Sequence, residues 1–170
     1  MINKSIYFIT IVILLQTQAF ADDAKSYKWG DITNNIQMSI NLASNVGVIK
    51  TNEPVILFIR LRNLSTNDTF LIYEVNGVVR NRAYSFDVIS SLGKNICPNM
   101  DKINEAESGD FTSIAPNQTG EFEYNLSQIC KFNEIGNYKI TAQRKMICPD
   151  QKTRFKVMSN TINVTIVSGK

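Results

Sequence analysis

One stretch of the sequence, residues 136–167, constrains the fold more than any other, because apolar and polar residues alternate along it. The segment Cys148-Pro149-Asp150-Gln151 interrupts the alternation with residues that favour a turn. A repeat of two residues is typical of a β-strand with one face in a core and the other in water. The stretch therefore predicts a long antiparallel β-hairpin. Its apolar positions are Tyr138, Ile140, Ala142, Phe155, Val157, Ile162, Val164 and Ile166.

Shorter segments upstream alternate in the same way and are separated by turn-forming residues. They are 35–42, 55–62, 84–90 and 122–126, with weaker alternation over 69–79, where Asn76-Gly77 favours a tight turn, and a short strand at 95–97. Residues 99–113 form the one long irregular segment, in which Asp101 and Gly109 would cap a short helix. About seven short strands predict an all-β, antiparallel β-sandwich, with a closed barrel as the alternative.

The first residues have the features of a signal peptide. A mainly apolar run, Ile6 to Leu15, is followed by Ala19-Phe20-Ala21, which has the small-x-small pattern of a cleavage site. The run is shorter than the ~20 apolar residues that a membrane-spanning helix needs. We therefore expect residues 1–21 to be removed, no membrane insertion after cleavage, and a periplasmic or extracellular protein. Residues 22–170 then form a single domain with a core at about 30–167.

Composition argues against several classes of function. The chain has no histidine, which removes the commonest general base and the usual zinc and copper ligand sets. Its formal net charge is only +3, which gives no argument for nucleic acid or for an anionic membrane as a general partner. The acidic residues between 101 and 110 lack the spacing of a calcium loop. We therefore expect a protein that is not an enzyme and that has no metal or other cofactor.

Four local patterns resemble the immunoglobulin-like sandwich domains that bacteria place in secreted and surface proteins. They are the segments 52–63 and 116–124, the Gly-Asn-Tyr-Lys-Ile run at 136–140, and the closing strand at 159–164. The resemblance implies an immunoglobulin-like fold over most of residues 30–167 but no activity, since this fold serves many functions. The chain also resembles, more faintly, bacterial proteinase-inhibitor domains of similar architecture.

Two aromatic residues are expected to have structural roles, and the resemblance implies that of Tyr138. Tyr138 is similar to the tyrosine of a tyrosine corner, whose phenol hydrogen-bonds back to the backbone; the alternative is an ordinary inward-facing aromatic. Trp29 precedes every predicted strand, so the antibody-type Cys-Trp-Cys core is absent. We expect Trp29 to cover one open end of the core, and the alternative is a platform for carbohydrate stacking.

Three cysteines, Cys97, Cys130 and Cys148, follow the predicted leader. An exported protein is expected to contain a disulfide. If strands 84–90 and 136–147 correspond to the neighbouring strands C and F of the immunoglobulin-like fold, Cys97 and Cys130 lie near one end and Cys148 near the other. The resemblance thus favours Cys97–Cys130, and the pairs Cys97–Cys148 and Cys130–Cys148 remain open. The odd thiol is then a free cysteine or the site of a disulfide-linked dimer.

The outward face of the predicted hairpin carries positive charge. Lys139 and Lys145 on one strand and Arg154 and Lys156 on the other should share this face, where an anionic glycan or an acidic protein is a possible partner. Arg144 falls on the inward side of the same pattern, which predicts either a bulge at that point or a strand that has already left the core.

The expected function is accordingly a non-catalytic one. We expect an exported module that binds a protein or a surface component. The alternative is an inhibitor of a secreted or envelope hydrolase that acts through a protruding loop. The candidate loops are residues 98–113 and the Cys148-Pro149-Asp150 turn.

Overall fold

The computed structural model describes residues 27–44, 46–75, 84–97, 109–150 and 152–169. Within these residues lie nine strands and the short 3-10 helix Leu126–Gln128. The strands are β1 (Ile36–Leu42), β2 (Val48–Lys50), β3 (Ile56–Asn63), β4 (Phe70–Val75), β5 (Tyr84–Ser90), β6 (Gly109–Ile114), β7 (Thr119–Asn125), β8 (Gly136–Ile147) and β9 (Arg154–Val167). The prediction of an all-β, mainly antiparallel fold is confirmed. The predicted leader, the Asn76-Gly77 turn and most of the acidic segment lie outside the described residues.

Seven of these strands form one hydrogen-bonded sheet in the order β5-β8-β9-β1-β3-β7, with β2 also paired to β9. The pairs are antiparallel except where β9 meets β1 and β2. The contact between β9 and β1 is narrow, because it consists of the single pair Met38 and Ser159. This contact, the seam, divides the sheet into a β2-β9-β8-β5 half and a β1-β3-β7 half.

The two halves face each other across one core. β5 and β7 stand at opposite ends of the strand order, yet the rings of Phe86 in β5 and Tyr124 in β7 have centroids 4.8 Å apart. The sheet therefore folds over on itself at the seam, which is the arrangement of a β-sandwich. The core contains alternating residues of both halves, including Met38, Ile40, Leu57, Ile59, Leu61, Phe86, Val88, Tyr138, Ile140 and Val164.

A separate two-stranded sheet, β4 and β6, closes one end of the sandwich. Phe70 of β4 packs edge-on against Phe155 of β9, with ring centroids 6.2 Å apart. The buried side chain of Asn63 donates hydrogen bonds to the carbonyls of Asp68 and Ile114 and thereby ties the sheet to the end of β3. The prediction that residues 99–113 are irregular is wrong from Gly109 onward, because these residues pair with β4.

The predicted long hairpin consists of β8 and β9, and it contains a bulge. The register passes from Thr141 opposite Thr161 to Gln143 opposite Met158, so β9 has one extra residue there. Because β8 itself is regular, Arg144 faces inward and is only 4 % exposed. Its guanidinium lies 4.5 Å from the centroid of the Tyr84 ring. Both interpretations offered for Arg144 are therefore wrong: the bulge lies in the partner strand, and β8 is still in the core.

The bulge allows the side chain of Asn160 to reach β1. Its Oδ1 accepts a hydrogen bond from the Ile40 amide at 2.8 Å, and its Nδ2 donates to the Ile40 carbonyl at 3.1 Å. Ser159 accepts a hydrogen bond from the Ala142 amide through its hydroxyl at 2.9 Å. Side chains therefore satisfy the backbone where β9 and β1 diverge, since unpaired backbone groups inside a protein are costly.

Residues 27–33, here called the N-terminal strap, fold back over β1. The turn is made by Asn34 and Asn35, with φ angles of 46° and 63°, and Thr33 and Ile36 exchange two backbone hydrogen bonds of 2.9 Å across it. Positive φ at both central residues is the geometry of a type I′ turn, which asparagine tolerates well. Gly30 lies so close to β9 that a Cβ atom there would overlap the Met158 carbonyl oxygen.

Among the described residues, no helix has the length and apolar composition required to cross a membrane.

Candidate functional site

The outer face of the β8–β9 hairpin brings three of the four predicted basic residues together. Lys145 of β8 lies directly opposite Lys156 of β9, and Arg154 is two residues before Lys156 and therefore on the same face. All three side chains are exposed. Directly opposite residues in an antiparallel pair have Cβ atoms about 5 Å apart. We call these three residues the basic cluster.

The fourth residue, Lys139, lies away from the basic cluster. It is also exposed and stands opposite Asn163, six residues before Lys145 along β8. At a rise of about 3.4 Å per residue, roughly 20 Å separates their backbone positions. The expected stripe is therefore a compact cluster of three cations and one distant lysine.

The basic cluster concentrates positive charge on one exposed face. An anion placed over Lys145 and Lys156 would be attracted by both charges at once. The exposed side chain of Met158, opposite Gln143 on the same face, adds an apolar contact beside the charges.

The turn at the tip of the hairpin is held by Asp150. Its carboxylate accepts hydrogen bonds from the amides of Lys152 and Thr153 at 2.9 and 3.0 Å, and from the Thr153 hydroxyl at 2.9 Å. These hydrogen bonds, led by that from the Thr153 amide, lower the pKa of Asp150. The amide of Cys148 also donates to the Thr153 carbonyl at 2.8 Å. Pro149 and Asp150 are exposed at the end of this turn.

Cys97 and Cys130 form a disulfide, as the resemblance favoured, and Cys148 is a free thiol. Cys148 is half-buried beside the hairpin turn, near the side chain of Asn34. Burial raises the pKa of its thiol, and the negative charges of Asp150 and Asp68 raise it further. A raised pKa makes the reactive thiolate harder to form, so the described surroundings do not activate Cys148 as a nucleophile.

The phenol of Tyr138 donates a hydrogen bond of 2.7 Å to the carbonyl of Glu134, four residues earlier. Its buried ring contacts Phe132 edge-on, with centroids 5.4 Å apart. The predicted hydrogen bond from Tyr138 to the backbone is thereby confirmed. It fixes the chain where the 129–135 loop enters β8.

Trp29 lies on the outer face of β3 rather than over an end of the core. The guanidinium of Arg62 sits 4.4 Å from the centroid of the Trp29 ring, and that of Arg60 sits 3.6 Å from the Tyr27 ring. Such cation–π contacts stabilise by about 0.5–1 kcal/mol at exposed sites. Arg60 also pairs with Glu121 of β7. Arg62 thus occupies one face of the only tryptophan and fastens the N-terminal strap to the sheet.

No group of three or more cysteine, aspartate or glutamate side chains that could hold a metal ion occurs in the described parts of the chain.

The sequence matches no protein-family model, and no curated protein matches it. Among solved structures, one described as "X-ray structure of Northeast Structural Genomics Consortium target SoR45" is similar. It covers 80% of this chain and 90% of its own length, at 10% sequence identity and a TM-score of 0.45. A likeness at this level carries no argument about function.

Proposed function

We propose that this chain is an exported, non-catalytic interaction domain of immunoglobulin-like type, and that it binds an acidic protein or surface component through the basic cluster. The observation that carries the proposal is the position of Lys145 directly opposite Lys156 on an exposed face. Two cations side by side on an exposed face attract an anionic partner and orient it.

Two further features of the fold support the immunoglobulin-like part of the proposal. The sheet folds into two facing halves, and Tyr138 bonds back to the Glu134 carbonyl just before a central strand. A tyrosine in this relation to its strand is a hallmark of such sandwiches. Export is supported by the signal-peptide features of residues 1–21 and by the Cys97–Cys130 disulfide, since disulfides persist in oxidising compartments.

Charge reversal at the basic cluster tests the binding proposal. In the variant Lys145→Glu/Lys156→Glu, affinity for immobilised heparin and for a poly-glutamate peptide should fall by about tenfold or more, because two attractive charges become repulsive. The matched control is Lys28→Glu/Lys139→Glu, which changes net charge equally at two exposed lysines outside the basic cluster. Equal losses in both variants would show that only net charge matters, and the proposal would fail.

A second candidate function is inhibition of a secreted or envelope hydrolase through the hairpin tip. Its support is the turn held by Asp150, because inhibitory loops bind in a preformed conformation. An inhibitor should slow at least one member of a panel of secreted proteases at stoichiometric concentration. Asp150→Ala should weaken that inhibition, whereas Lys145→Glu/Lys156→Glu should affect it less. A panel in which no protease is slowed would argue against this function.

A further inference from the structure

Strand β7 is an open edge of the main sheet. It stands last in the strand order, next to β3, and pairs with β3 along its whole length with no shift of register. The edge of β5, at the other end of the order, is partly covered, because the Ile96 amide donates to the Val88 carbonyl at 3.0 Å. Among the described residues, none forms a comparable backbone hydrogen bond to the outer side of β7.

The hydrogen bonds at the two ends of β7 determine which of its backbone groups point outward. The Leu126 amide donates to the Val55 carbonyl at 2.8 Å. The Asn63 amide donates to the Gln118 carbonyl at 2.9 Å. Because residues that bond to one neighbour alternate along an antiparallel strand, the even-numbered residues of β7 bond to β3. The odd-numbered residues direct their N–H and C=O groups away from β3; they are Thr119, Glu121, Glu123 and Asn125.

This row of outward backbone groups matches one kind of occupant, an extended polypeptide strand. Unpaired N–H and C=O groups along an edge strand are a template for pairing with another chain. When a strand is added to a sheet edge, main-chain hydrogen bonds supply the affinity and alternate side chains supply the specificity. The chemistry of the β7 edge therefore selects a polypeptide as its ligand.

The side chains of β7 define the sequence pattern of that added strand. On the outer face, Glu121 and Glu123 are exposed. Glu121 pairs with Arg60, whereas Glu123 forms no ion pair within the described parts of the chain. On the inner face, the ring of Phe122 is half-buried and packs against the core. Since opposite residues of paired strands share a face, basic residues fit opposite the glutamates and an apolar residue fits opposite Phe122.

A second copy of this chain is a poor occupant of the same edge. Antiparallel pairing of two β7 strands about Phe122 would place Glu121 of each copy opposite Glu123 of the other. Like charges directly opposite each other destabilise a strand pair. The two glutamates therefore disfavour self-pairing and favour a basic strand.

We infer that the outer edge of β7 binds an extended segment of a partner polypeptide in which basic and apolar residues alternate. The inference goes beyond the proposed function, because it uses another strand and a ligand of opposite charge. The β7 edge belongs to the β1-β3-β7 half of the sheet, whereas the basic cluster lies on the β2-β9-β8-β5 half. The two surfaces can therefore be disabled separately.

A peptide of four Lys-Val repeats is the probe for the β7 edge. The full mature chain should bind it about tenfold or more tightly than a peptide of the same composition in the order Lys-Lys-Val-Val, because only strict alternation places all lysines on one face. Glu123→Lys should weaken binding of the Lys-Val peptide about tenfold or more. The matched control Glu134→Lys changes net charge equally at an exposed acid before β8 and should bind like the unmodified protein. Fluorescence anisotropy of the labelled peptides gives the affinities.

The backbone pairing has its own measurement, amide hydrogen exchange by NMR. The outward amides of Glu121 and Glu123 should exchange quickly in the free protein and slowly with bound peptide. The amides of Gly120 and Phe122 should exchange slowly in both states, because they bond to β3. Glu123→Pro removes one outward N–H and leaves the hydrogen bonds to β3 in place. It should weaken peptide binding about fivefold or more.

Three results would overturn the inference. The first is no binding of the Lys-Val peptide by the unmodified protein. The second is equal binding of the two peptides, or unchanged exchange at Glu121 and Glu123. The third is a dimer in size-exclusion chromatography that Glu123→Pro dissociates, because β7 would then pair with a second copy. Heparin binding separates these outcomes from the proposed function: it should survive Glu123→Pro and fall in Lys145→Glu/Lys156→Glu.

Discussion

At the scale of single residues, the position of a side chain on this sheet decides its chemistry. Arg144 and Lys145 are neighbours in sequence, yet the first is buried against the Tyr84 ring and the second is exposed beside Lys156. Strand alternation alone produces this difference. Cys148 is a similar case, because burial and the two nearby carboxylates of Asp150 and Asp68 raise the pKa of its thiol.

The acidity of Cys148 is directly testable. The carboxylate of Asp68 raises the pKa of this thiol, so Asp68→Asn should lower the pKa. Because the thiolate is the reactive form, the midpoint of the alkylation rate against pH should then shift to lower pH. The measurement is the iodoacetamide reaction rate of the oxidised protein across a pH series, with Asp87→Asn as the control. An unchanged midpoint in Asp68→Asn would contradict the electrostatic explanation.

At the scale of elements, the β8–β9 hairpin could be predicted in outline from its alternation and its Cys-Pro-Asp turn. The predicted apolar positions of β9 have odd numbers up to Val157 and even numbers from Ile162 onward. This change in the alternation reflects the extra residue of the bulge in β9. The seam that this bulge makes possible could not be predicted, because it depends on the side chain of Asn160 reaching an amide 120 residues away in sequence.

The other differences between prediction and structure have similar causes. The N-terminal strap turns back at Asn34-Asn35, where both residues have positive φ. Asparagine tolerates this geometry, so the dipeptide could have indicated a tight turn before β1. The pairing of β6 with β4 is non-local and leaves little trace in either segment. The basic cluster was predicted as four residues on one face, and the six positions between Lys139 and Lys145 along β8 separate Lys139 from the other three.

The stabilising role of Asn160 can be measured by substitution. Asn160→Ala removes both hydrogen bonds to Ile40 and leaves partly buried backbone groups without these partners. The free energy of unfolding should fall by about 2 kcal/mol. Asn163→Ala, at an exposed position of the same strand, should change it by less than about 0.5 kcal/mol. Urea unfolding of the two variants gives the two free energies. Equal small losses would show that Asn160 does not stabilise the seam.

At the scale of the whole molecule, the sandwich separates two surfaces of different character. The hairpin carries clustered cations toward its turn, and the opposite end carries the exposed apolar side chains of Leu92 and Ile135. Recognition by a rigid scaffold with exposed loops and strand faces is a common use of β-sandwiches, and it requires no catalytic group.

The most direct test of the central claim, that the basic cluster is the binding surface, is a two-dimensional amide NMR titration with a sulfated heparin oligosaccharide. We predict that the largest shift changes fall on residues 143–147 and 154–158, with little change around Leu92 and Ile135. Changes spread evenly over all exposed lysines, or confined to another surface, would contradict the claim.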